Sequence, residues 1–226
     1  MRSLIIVFIS VVFFSLAGCV TLPDPVPYAY LVEKTAEQGS ALEKQENSII
    51  AKNQENRKLK DKVKDADYKL KVDTGRLDIL KEEKKLLEEK QKQYQLENDS
   101  ERINENAKQI SDKEGEIQMQ SARVEYYSAV LEHVKTQNEV AEAELSVLVA
   151  ELNYQKSTIA KEYLMKRKGA VTASDEKKGS TLPDPEKYED KYQKYLDRQR
   201  EILVAKKQAR DEAAMKVKIA EEKLKK

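Results

Sequence analysis

Gln95-Leu96-Glu97-Asn98-Asp99-Ser100 interrupts a helical pattern that otherwise runs without proline from Tyr28 to about Lys168. Asn, Asp and Ser start helices well, because their short side chains accept from the free N–H groups of a first turn. Upstream, apolar positions recur every seven residues through Leu42, Ile49, Asn56, Val63, Leu70 and Leu77. A companion line holds Leu59, Ala66, Leu80, Leu87 and Tyr94. Downstream the line is Leu96, Ile103, Ile110, Ile117, Val124, Leu131, Asn138, Leu145, Leu152 and Ile159, with companions Tyr127, Val134, Ala141 and Leu148. Continuing the first line puts a seam position at Asn98, whereas the second begins at Leu96, so the registers disagree within these six residues. The arms on either side are nearly equal, each about 100 Å long at 1.5 Å per residue. Equal arms around a capping-rich break predict a long antiparallel helical hairpin. One helix of roughly 210 Å with a local shift in winding is the alternative.

Composition agrees with long helices. Charged residues make up 37% and aromatics 6%, with no Trp. Such a mixture also occurs in disordered chains, and the sustained heptads decide for an all-α, elongated coiled coil. Basic and acidic residues, 42 against 41, are interspersed, so no basic stripe for nucleic acid is present. Gln45, Lys52, Asn56, Asp73, Lys84 and Gln91 fall on the first seam. They are expected to reach water from a partly buried seam, with selection of register or partner as the alternative reading. A hairpin buries its seams internally. A continuous rod would need self-association or a protein partner along them.

At the N-terminus, Met1-Arg2-Ser3 precedes an apolar run from Leu4 to Ala17 broken only by two serines. About 14 residues suit a signal-peptide core and fall short of the roughly 20 that a spanning helix needs. Leu16-Ala17-Gly18-Cys19 at its end resembles the lipobox of bacterial lipoproteins. The resemblance implies a covalent lipid on Cys19, removal of residues 1–18 and a lipidated, Pro-rich tether over 19–27. Val20, in place of Asp, then points to the outer membrane.

The coiled-coil body is expected over 28–168, with its turn near 95–100. Gly169, Ser174, Gly179, Ser180, Pro183 and Pro185 mark a linker over 169–185, and a third helix follows over 186–226. Thr181-Leu182-Pro183-Asp184-Pro185 repeats Thr21-Leu22-Pro23-Asp24-Pro25, and tyrosines follow both copies. Asp before Pro is ordinary helix-start chemistry. The sharper expectation is a duplicated docking element in which Tyr188, Tyr192 and Tyr195 meet a partner. The third helix offers one line through Tyr188, Tyr195, Ile202 and Ala209, and another through Tyr192, Ala213 and Ala220.

No constellation for chemistry emerges. His133 stands alone between Leu131 and Val134, facing solvent, and the lipid uses the one cysteine. Glu125, Glu132 and Glu139 read as a solvated acidic stripe. Neither a catalytic site nor a metal site is expected, and no cofactor beyond the lipid. In organisation the chain resembles murein lipoprotein, with a lipobox, a heptad-bearing helix and a C-terminal lysine. That resemblance implies attachment of Lys226 to peptidoglycan. The expected function is a lipid-anchored structural spacer or scaffold of the cell envelope, on the periplasmic side of the outer membrane. The alternatives are a surface-exposed, adhesin-like binding lipoprotein and an accessory subunit of an envelope transport or motility machine.

Overall fold

The computed structural model describes residues 23–170 and 183–225. The described residues are helical without strands: a 3-10 helix at Tyr28–Leu31, then α1 (Ala36–Glu97), α2 (Ser100–Ala170) and α3 (Pro185–Leu224). The chain divides into two compact units. Unit 1 comprises Met1–Ser48 and Ser146–Glu201, and unit 2 comprises Ile49–Leu145 and Ile202–Lys226.

In unit 2 the chain reverses at the predicted place. Asn98 adopts φ 56°, the left-handed conformation that Asn tolerates better than most residues. Asp99 N donates to Tyr94 O at 3.2 Å and Asn98 N to Gln95 O at 3.3 Å, which is the Schellman pairing of a helix end. Asp99 then caps α2, its Oδ1 accepting from Arg102 N at 3.1 Å. One residue ends a helix and the next begins another, so no Gly or Pro is needed, and in unit 2 α1 and α2 form a hairpin rather than one continuous helix. Leu96 belongs to the last turn of α1 and is 85% exposed, not a seam residue. The α2 seam starts at Ile103.

Cross-helix pairs in unit 2 lie nearly symmetrically about Asn98. Asn56 Nδ2 donates to Ala141 O at 3.2 Å. Gln120 Nε2 donates to Asp73 O at 2.9 Å and to Asp73 Oδ1 at 2.8 Å. Asn106 Nδ2 reaches Leu87 O at 2.9 Å and Gln91 Oε1 at 2.6 Å, while Gln91 Nε2 donates to Ile103 O at 3.2 Å. A helical carbonyl keeps a second lone pair after its own helix bond, and these amides use it. Lys52 and Lys84 are half-buried and pair with Glu144 and Glu114 on the facing helix. The expectation that the polar seam residues reach water is therefore corrected: Asn56, at 3% exposure, is core, and the polar layers bond across the hairpin.

In unit 2, α3 packs on a second face of α2. Lys206, Lys216 and Lys223 pair with Glu139, Glu132 and Glu125 at 2.8, 2.7 and 2.8 Å. The acidic stripe is exposed, as expected, and it also forms an ion-pairing rail for α3. Of the two α3 lines, the one with Ala213 and Ala220 is buried, whereas Ile202 is exposed. Leu203, Val217 and Leu224, each at least half-buried, complete the seam.

Unit 1 packs the start of α1, the end of α2 and the start of α3. The α1 helix begins at Ala36, later than the expected Tyr28, because a capping box forms there. Gln38 N donates to Thr35 Oγ1 at 3.2 Å, and Thr35 N donates back to Gln38 Oε1 at 2.9 Å. Before it, proline-bearing chain and the 3-10 turn bury Val26 and Leu31. Leu42, Val147, Ala150, Leu164 and Leu196 are buried in this unit. Each large aliphatic side chain there contributes about 1.5–3 kcal/mol. Lys161 with Glu189, at 2.6 Å, and Glu151 with Arg200, at 3.1 Å, join α2 to α3.

Candidate functional site

Tyr30, Tyr188 and Tyr192, which follow the two Thr-Leu-Pro-Asp-Pro copies, converge in unit 1. Pro23 and Val26 are buried, so the segment between them is held as a strap. Tyr192 is 2% exposed, and its hydroxyl donates to Asp24 O at 2.6 Å. The Tyr188 ring centre lies 5.4 Å from that of Tyr192 and 6.1 Å, edge-on, from that of Tyr30. Tyr30 in turn lies 5.7 Å from Tyr163 on α2. Such offset and edge-on pairs add about 0.5–1.5 kcal/mol each beyond the area they bury. Burial pushes the Tyr188 hydroxyl above the usual tyrosine range, and the neighbouring Tyr192 hydroxyl adds to it. Lys191 Nζ reaches the Asp24 carboxylate at 3.7 Å from the exposed side.

The two five-residue copies therefore do different work. Asp184 of the second is a helix cap: its Oδ1 accepts from Glu186 N at 3.3 Å and its carbonyl from Tyr188 N at 2.9 Å. Asp24 of the first offers its backbone carbonyl to the helix that the second begins. Tyr188 and Tyr192 meet this chain's own strap. Tyr195 is half-buried and, among the described residues, joins no ring of the cluster.

His133 is half-buried rather than solvent-facing. Its Nε2 lies 2.9 Å from Gln137 Nε2, and its Nδ1 is buried without a hydrogen-bond partner. Among the described residues, no group of three or more His, Cys, Asp or Glu could hold a metal ion. No helix among them is long and apolar enough to cross a membrane. Leu16, Ala17, Gly18, Cys19 and Lys226 lie outside the described residues.

Sequence reasoning missed the face of α2 that receives α3. A second heptad line was there to read, through Ala143, Ala150, Ser157 and Leu164, with Val140 and Val147 beside it, and all six are buried. Small residues at that spacing allow close helix approach but carry little hydropathy signal. The chain matches no protein family, no curated protein and no solved structure.

Proposed function

We propose that the chain is a lipid-anchored structural scaffold of the bacterial cell envelope, held at the outer membrane through Cys19. It offers helical surfaces to proteins on the periplasmic side. The apolar run ending in Leu16-Ala17-Gly18-Cys19 supports the anchor. The observation that carries the scaffold reading is the strap: Asp24 O is bonded to Tyr192, and Pro23 and Val26 are buried beside it. Pro23 lies four positions after Cys19, so extended chain allows at most about 14 Å between them. A lipid on Cys19 is then coupled closely to the helices of unit 1 rather than hung on a long tether. Helices of 62, 71 and 40 residues far exceed the average of about 12 in globular domains, and such surfaces suit presentation better than enclosure of a substrate.

Protease treatment of intact cells, followed by immunoblotting with a permeabilised control, tests the reading. Survival on intact cells and cleavage only after permeabilisation is the expected result. Cleavage on intact cells overturns the periplasmic placement and turns the search to external ligands.

A further inference from the structure

A cleft of about 480 Å³ opens in unit 2 beside Leu224, between α1 and α2. Tyr126, Tyr127 and Met119 supply its apolar wall, and Met119 is 60% exposed. Arg76 of α1 and Arg123 of α2 line the same cleft. Both are exposed, and among the described residues neither guanidinium has an ion-pair or hydrogen-bond partner. Asp73, the one carboxylate in the lining, is buried and already accepts from Gln120.

The α2–α3 interface shows how this surface receives a helix. There, lysines of the incoming helix meet Glu139, Glu132 and Glu125 in turn. Just beyond Glu125 the sign inverts at Arg123 and Arg76, while apolar wall continues through Tyr126 and Met119. An apolar-walled cleft flanked by two unpaired arginines complements a helix that carries carboxylates.

We propose that this cleft docks an amphipathic helix of a partner protein, with carboxylates placed to meet Arg76 and Arg123. Two designed three-heptad peptides with the same Leu/Ala seam test it, one carrying Glu and the other Lys at the flanking positions. Their binding to the detergent-solubilised full chain is read by fluorescence anisotropy. The Glu peptide should bind at least about tenfold more tightly, a difference of about 1.4 kcal/mol, and added salt should weaken it. Arg76→Glu with Arg123→Glu should invert the preference while leaving helical circular dichroism unchanged. Met119→Ser should weaken the Glu peptide several-fold without altering the charge preference. Equal binding of the two peptides, binding of neither, or an order that survives the double reversal overturns the proposal. Self-association of the full chain that the double reversal abolishes also overturns it, because the occupant is then a second copy.

Discussion

The Tyr192 hydroxyl donates to the carbonyl oxygen of Asp24 at 2.6 Å, closing the chain's N-terminal strap onto a helix that follows the second Thr-Leu-Pro-Asp-Pro copy. This bond and the packed rings around it hold residues 23–31 in place. Tyr192→Phe removes the bond and keeps the ring, at a cost of about 1 kcal/mol. Amide exchange at Tyr30, which donates to Pro27 O at 3.0 Å, should rise severalfold while the middle of α2 stays protected. Unchanged exchange at Tyr30 would falsify the strap's dependence on Tyr192.

The turn gives a second expectation. With Asn98 at φ 56°, Asn98→Ala should destabilise the hairpin by about 1–2 kcal/mol, because a Cβ without a compensating polar group is strained there. Asn98→Gly should be neutral or slightly stabilising. Asp99→Ala should cost about 1 kcal/mol through loss of the α2 cap. Urea midpoints of the three variants, ranked Gly above Asp99→Ala and Asn98→Ala, check the assignment.

The polar layer of Asp73 and Gln120 should behave as a pair. Gln120→Leu strands a buried carboxylate and should cost about 1–3 kcal/mol. Replacing Asp73 with Leu as well should restore the loss and add stability, since an apolar layer suits a helical seam better than a buried charge. Thermal melts of the two singles and the double measure the coupling, and strictly additive effects would contradict the pairing.

The fold was legible where its signal is local or strictly periodic. From Leu42 to Tyr94 the first-arm seam holds, including Asn56, Val63 and Leu77, since heptad spacing alone selects it. Asn98 and Asp99 were legible because capping depends on side-chain chemistry within a few residues. Leu96 misled because an apolar side chain in a last helical turn keeps the spacing after the facing helix has turned away. The α3 seam slipped by one residue because Tyr188, Tyr195, Ile202 and Ala209 repeat at the same spacing of seven, one position before the Leu196 and Leu203 line. The ion pairs of Glu125, Glu132 and Glu139 were not legible because their lysines lie on a helix far along the chain. Pairing over such a separation leaves no local trace. The strap had only the repeated pentapeptide as its sign, and repetition does not say which copy binds and which caps.

Stability should depend on pH with a definite sign. Burial pushes the Glu144 carboxyl up, but Lys52, with help from Lys207, outweighs it and holds the group below the usual range. Glu189 is held low by its bond from Lys161. A carboxyl depressed in the folded state stabilises above its unfolded value, near pH 4.3, and loses that contribution as pH falls through the folded value. Burial pulls Lys52 down, yet its bonds to Glu144 and Glu55 leave it raised, so its contribution fades only above about pH 10.4. The melting temperature should therefore be flat from about pH 5 to pH 9 and fall on either side. Glu144→Gln should lower the plateau by about 0.5–1 kcal/mol and reduce the acid loss. An acid loss that stays the same in Glu144→Gln contradicts the assignment.

The lipid anchor is tested most directly by growing cells with an alkyne-bearing palmitate analogue and comparing the parent chain with Cys19→Ser. The parent should carry the label, fractionate with the outer membrane and show a mass consistent with a first residue at Cys19 bearing acyl chains. Cys19→Ser should lose the label and leave that fraction. A parent chain without label, or a Cys19→Ser chain that keeps it, would contradict anchoring at Cys19 and with it the proposed place of the scaffold in the envelope.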